Sequence, residues 1–188
     1  MPRGRPPQGV TMRKLLFGSA LVLMMATTLF GAVHLGDVIE KVNLAVPADA
    51  ADRGYLGLDK KAGQFMLADI DADIVIVEIF SMYCPHCQRH APTANKLFEI
   101  IESDKKTKGR VKLIGIGVGN SAYEVKFFKK KYTIPFPLFD DGNSLVLNKL
   151  AGIRTPTFFG LRKTGARVEA FFIEQGPHDD PAAFLKDM

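Results

Sequence analysis

Cysteine is scarce in this 188-residue chain: there are two, Cys84 and Cys87, and no others. A structural zinc site takes four ligands, so the lack of a second cysteine pair argues against zinc. His86 and His90 complete a ligand set only on paper, because His86 lies inside the short Cys84–Cys87 ring and would have to point back across it. A disulfide across so small a loop hardly restrains the unfolded chain, so the pair reads as chemical rather than as a structural staple. Charge is missing too: no acidic residue precedes Leu15, and no charged side chain occurs in the 19 positions 15–33. From Leu15 onward the formal +5 shrinks to 21 basic against 20 acidic groups. A nucleic-acid binder needs a concentrated basic face. The clusters Lys105, Lys106, Lys108, Arg110 and Lys126, Lys129, Lys130, Lys131 read instead as solvated helix ends and faces, so nucleic acid is not an expected partner.

What is present divides the chain into four stretches. Residues 1–14 are a basic segment containing Arg3, Arg5, Arg13 and Lys14, and Met12 is an alternative start. Residues 15–33 are a signal sequence or membrane anchor with its basic end in the cytoplasm. Small-x-small cleavage sequences at 46–48 and 48–50 lie about 15 residues past the apolar run, further than is usual, and a span needs about 20 residues; an anchor is favoured over a cleaved signal. Either way the remainder is exported, to the periplasm, where disulfides persist. Residues 34–54 are a linker expected to hold little fixed structure, and 55–188 are one domain.

Within that domain, a short strand is expected over 64–70 and a nearly all-apolar strand over 74–80, buried on both faces. The cysteine pair follows and opens a helix to about Ser103, with Leu97, Phe98, Ile100 and Ile101 on its core side. Further strands are expected at 111–118, near 136–139, at 157–161 and at 168–173, the last two joined by a Lys163-Thr164-Gly165 turn. Helices are expected to about Tyr132, with Ser121 as the cap and Glu124 as its capping-box partner, over 144–151 after a turn at 140–143, and over 181–186. This pattern predicts an α/β fold with a central mixed sheet flanked by helices.

The stretch Ile76-Val77-Glu78-Ile79-Phe80-Ser81-Met82-Tyr83-Cys84-Pro85-His86-Cys87 resembles the active-site segment of the thioredoxin superfamily. Its Pro-His dipeptide is similar to that of the periplasmic DsbA oxidases, whereas Lys112 to Phe159 is similar to the TlpA/redoxin branch, with an extra helix and strand before the cis-proline loop. The 68 residues between Cys87 and Pro156 leave no room for the large helical insertion of DsbA. The resemblance implies a thioredoxin-like fold, a cis-proline loop at Thr155-Pro156, and substrate binding there and beside Pro85 by short strand pairing. It implies exchange with protein thiols or disulfides and a membrane redox partner, with no cofactor and no metal.

The residues assign roles. Cys84, facing a helix N-terminus, is the expected nucleophile, and Cys87 the resolving thiol. His86 donates a hydrogen bond or carries charge beside the thiolate, which would favour the dithiol and make the protein an oxidant. Glu78, ionisable amid Ile76, Val77, Ile79 and Phe80, is expected protonated or water-linked, and the resemblance implies that it shuttles protons to Cys87. His90 is expected exposed, and Phe127, Phe128, Phe158, Phe159, Phe171 and Phe172 to fill core and sheet. Electron flow stays open: the dipeptide argues for an oxidase, the TlpA-like body and anchor for a reductase. Two alternatives stand beside thiol–disulfide exchange. One is a thiol peroxidase, suggested by Ser81-x-x-Cys84 but weakened by Val77 where the signature has proline. The other is a copper chaperone using both cysteines and a histidine such as His178, although such chaperones space their cysteines more widely.

Overall fold

The computed structural model describes residues 1, 4, 33–39, 42–59, 61–141, 146 and 153–188. The expected span 15–33, except Val33, and the expected helix 144–151, except Val146, lie outside the described residues. Among those described, no helix is long and apolar enough to cross a membrane.

Alternation of side chains and the apolar runs decide the layout. Strand β3 (Ile74–Phe80) is central in a five-stranded mixed sheet, parallel to β4 (Val111–Val118) and antiparallel to β6 (Thr157–Thr164). β5 (Leu138–Asp141) extends the β4 edge in parallel, and β7 (Arg167–Gln175) lies antiparallel outside β6. β5 lies between β4 and the cis-proline loop in sequence, as the expected insertion requires, and it takes in Asp140 and Asp141, the first two residues of the expected turn at 140–143, whose remainder lies outside the described residues. β4 is buried at every position, so its glycines are where neighbours press close. A Cβ on Gly117 would stand 3.1 Å from Phe80 Cζ.

The sheet separates two apolar clusters. Val75, Val77 and Ile79 point to one, with Ile114, Phe139 and Phe159. Ile76 and Phe80 point to the other, beneath helix α2 (Pro85–Ser103), with Leu97, Ile101 and Phe136. By the same period of two, Glu78 faces α2. Helix α3 (Ala122–Lys131) packs on this side through Val125 and Phe128, and α4 (Pro181–Asp187) through Phe184. Phe127, expected in the core, is instead 47% exposed. Adjacent helical residues diverge by about 100°, so only one of Phe127 and Phe128 faces the sheet.

The stretch 34–54 differs from the expected linker. β1 (Asn43–Ala45) pairs with β2 (Gln64–Met66), α1 (Ala50–Leu56) begins at an Asp49 cap, and the Ile39 N–H donates to Val168 O at 2.8 Å. Val42, Leu44 and Leu56 are buried in the first cluster, and the Leu113 N–H donates to the Tyr55 hydroxyl at 2.8 Å. The expected strand 64–70 is β2 followed by one 3-10 turn at Leu67–Asp69.

Candidate active site

β3 delivers the chain at its C-terminal edge into a turn, Ser81 to Tyr83, and α2 starts immediately after it. Cys84 is the N-cap of that helix (φ −80°, ψ 115°) and Pro85 its first residue, where a missing N–H is harmless. The turn is held by its peptide groups: the Met82 N–H donates to Asn120 Oδ1 at 2.8 Å, and Gln88 Nε2 donates to Met82 O at 2.7 Å. The Tyr83 hydroxyl donates to the Glu124 carboxylate, which also accepts from the Ser121 N–H and hydroxyl in the capping box of α3. Asn120, Gln88 and the Tyr83–Glu124 pair were missed from sequence, although the Gly119-Asn120-Ser121 break ahead of a capped helix marks the loop that carries Asn120.

The two sulfurs are unlike. Both are free thiols; Cys84 is partly exposed and Cys87 is buried. Burial, the largest single influence on Cys84, opposes its ionisation, but hydrogen bonds from the Thr155 side chain, the backbone of Cys87, the Cys87 thiol and the backbone of His86 together hold the thiol below its ordinary value. The Thr155 carbonyl accepts the Cys84 S–H at 3.2 Å, a bond available only to the thiol. Cys87 is shifted far the other way: burial keeps it protonated, and negative charge at Glu78 or Cys84 adds to this, against one hydrogen bond from the Ser81 backbone. Glu78 is 5% exposed, its carboxyl makes no hydrogen bond among the described residues, and burial alone pushes that carboxyl up to about 8.

The sequence-predicted residues Cys84, Cys87, Glu78, Pro85, Thr155 and Pro156 converge here, and the Thr155–Pro156 bond is cis. The Gly176 N–H occupies the Pro156 carbonyl at 2.9 Å, so Thr155 is the loop residue whose backbone meets the sulfur. His86 converges only in part. Its backbone favours the thiolate, but its exposed ring contacts Arg89, with Nη2 3.1 Å from Nδ1. Arginine only donates, so Nδ1 accepts. His90 was expected to be exposed but is buried, at 3% exposure, and Nε2 lies 3.1 Å from His178 O. Its ring meets those of Phe158 and His178, and His178 stacks on Phe184 at 4.1 Å. Among the described residues no three His, Cys, Asp or Glu side chains converge on a metal position.

A sulfur whose ionisation is favoured beside one kept protonated, with an acid beneath, is suited to thiol–disulfide exchange. The chain is 25% identical over 153 residues to the thiol-disulfide oxidoreductase ResA of Geobacillus kaustophilus (strain HTA426), covering 81% of this chain and 84% of that protein. StoA from Bacillus subtilis superposes with a TM-score of 0.50 at 25% identity, over 62% of this chain and 82% of that one. The thioredoxin domain of a thiol-disulfide oxidoreductase from Bacteroides vulgatus superposes with a TM-score of 0.58 at 15% identity, over 83% and 98%, so the fold is thioredoxin-like. Residues 43–176 match the AhpC/TSA family; that span runs from β1, through both cysteines and the cis-proline loop, to the end of β7, and the chain belongs to this family.

Proposed function

We propose that this thiol–disulfide oxidoreductase works outside the cytoplasm as a reductant of protein disulfides, with Cys84 attacking and Cys87 resolving. The observation that carries the reading is the asymmetry of the two sulfurs: hydrogen bonds favour the Cys84 thiolate while burial keeps Cys87 a thiol beside Glu78. The Cys84 thiolate attacks one sulfur of the substrate disulfide, forming a mixed disulfide and expelling a thiolate that takes a proton from solvent. Cys87 then loses its proton to the Glu78 carboxylate and attacks Cys84, releasing the second substrate thiolate, which takes a proton from solvent while Glu78 returns its own to solvent. The substrate gains two electrons and two protons, and the protein is left with a Cys84–Cys87 disulfide. Electrons to reopen it come from a membrane dithiol partner.

Two features of Cys84 support this direction. A strong oxidant needs its nucleophile's pKa to fall several units, each equivalent to about 30 mV in a two-electron couple. Here burial works against that fall, and the His86 ring lies against Arg89. Export rests on the charge-free positions 15–33 behind four basic residues, with periplasmic placement, attached through that segment, as the reading it supports best. Strand pairing with Thr155 places the substrate segment beside Pro85.

Redox equilibration of the Cys84/Cys87 couple with glutathione tests the direction. The reading expects a potential near the thioredoxin value of about −270 mV, and a potential near the DsbA value of about −120 mV would sink it.

A further inference from the structure

Six large apolar side chains stand exposed among the described residues: Met1, Leu35, Met66, Tyr83, Tyr123 and Phe127. Two of the three aromatic ones lie on α3, and the third, Tyr83, contacts that helix. Tyr83 immediately precedes Cys84, and its hydroxyl is bonded to Glu124 on α3. On a helical wheel, the exposed arc of α3 runs Lys126, Lys130, Tyr123, Phe127, Lys131 and Glu124 in order, so Tyr123 and Phe127 lie between the lysines and the contact with Tyr83. The opposite arc holds buried Val125 and Phe128, and Lys129 is paired with Asp52 at 2.8 Å. Lys131 lies 5.2 Å over the Tyr132 ring. Lys126 and Lys130 are exposed and have no ion-pair partner among the described residues.

Solvated lysines alone need no explanation. Rings 77% and 47% exposed at i and i+4, flanked by two unpaired cations on a helix that Tyr83 ties to the turn before Cys84, form a surface of the type that buries on association. We propose that Tyr83 and the outer face of α3 dock the protein that exchanges with Cys84, through a segment next to its reacting cysteine that carries acidic side chains and a large apolar one. The acidic groups meet Lys126 and Lys130, and the apolar group covers Tyr123 and Phe127. This rests on the exchange reaction proposed above and adds the chemistry of its substrate.

The test uses the reduced full chain and two cysteine peptides of equal length, each disulfide-linked to 2-mercaptoethanol. In one, phenylalanine and three aspartates flank the cysteine; in the other, phenylalanine and three lysines. Hydroxyethyl disulfide is the reference substrate. At low salt the acidic peptide should react about tenfold faster than the basic one, a steering effect that salt removes. Joint substitution Lys126→Glu and Lys130→Glu should erase or reverse the preference. Joint substitution Tyr123→Ala and Phe127→Ala should lower both peptide rates relative to hydroxyethyl disulfide in the same variant. Equal peptide rates in the unaltered protein, or a preference that survives charge reversal, would overturn the docking surface while leaving exchange intact. Failure to reduce hydroxyethyl disulfide would remove the exchange reaction and the docking surface together.

Discussion

Glu78 is the residue on which the timing of the reaction turns. With its carboxyl pushed up to about 8 by burial, it is mostly protonated at neutral pH, and the fraction able to accept the Cys87 proton grows as pH rises. Release of the mixed disulfide should therefore accelerate through about pH 8. Glu78→Gln should flatten that profile and slow release by about 100-fold, the lower end for a positioned proton acceptor; stopped-flow release of a fluorescent thiol measures it. The same shift has a stability consequence. The folded state keeps a proton that the unfolded state loses above its pKa of 4.5, so this contribution to stability is present below about 4.5 and is lost as pH rises through about 8. Urea midpoints of Glu78→Gln should lack the decline. His178 has the opposite sign: burial first, then the neighbouring His90, lower it to about 4, against Asp180. The unfolded state then binds the extra proton, so stability present above about 6.5 is lost as pH falls toward 4. His178→Phe, which keeps the stack on Phe184, should reduce the acid-induced drop in urea midpoint.

At the scale of elements, the active-site turn is only as well placed as the loop between β4 and α3. Asn120→Ala removes the acceptor of the Met82 N–H and should destabilise by about 1–3 kcal/mol in urea unfolding, with the alkylation profile of Cys84 moving toward that of an ordinary thiol. α1 carries a second test. Gly57 closes it at φ 71°, and a Cβ there would lie 2.5 Å from Asp71 Cβ. Gly57→Ala should cost about 1–3 kcal/mol in urea unfolding, whereas with α1 unformed it would change almost nothing. Legibility in the sequence followed how local each cause is. Ile74–Phe80 is read to the residue because six of its seven positions are apolar and the Asp71–Asp73 turn bounds it, and the Ser121–Glu124 box marks its own helix. The stretch 34–54 escapes such reading because Val42 and Leu44 are ordered by β2, β7 and the sheet face, which no local pattern announces. His90 and Phe127 were misplaced for a related reason: each lies beside an alternative core candidate, and only packing against α4 and the sheet decides which ring goes inside.

For the whole molecule, the arrangement follows from one sheet with two covered faces. Parallel β3 and β4 end at the same edge, where an open α/β sheet places its chemistry. There the N-terminus of α2, the β4–α3 loop and the cis-proline loop meet around Cys84. Tyr83 stands exposed at that edge and contacts Glu124 of α3, which links the redox site to the proposed partner surface. The claim beneath all of this is that Cys84 is the sulfur that ionises first. Alkylation of the reduced protein with iodoacetamide across pH 5–10, with each modified cysteine identified by mass spectrometry, measures it directly. The account predicts that Cys84 reacts first, with a midpoint below the ordinary thiol value of about 8.5, and that Cys87 is protected throughout the neutral range. Prior modification of Cys87, or a Cys84 midpoint at or above that value, would contradict it.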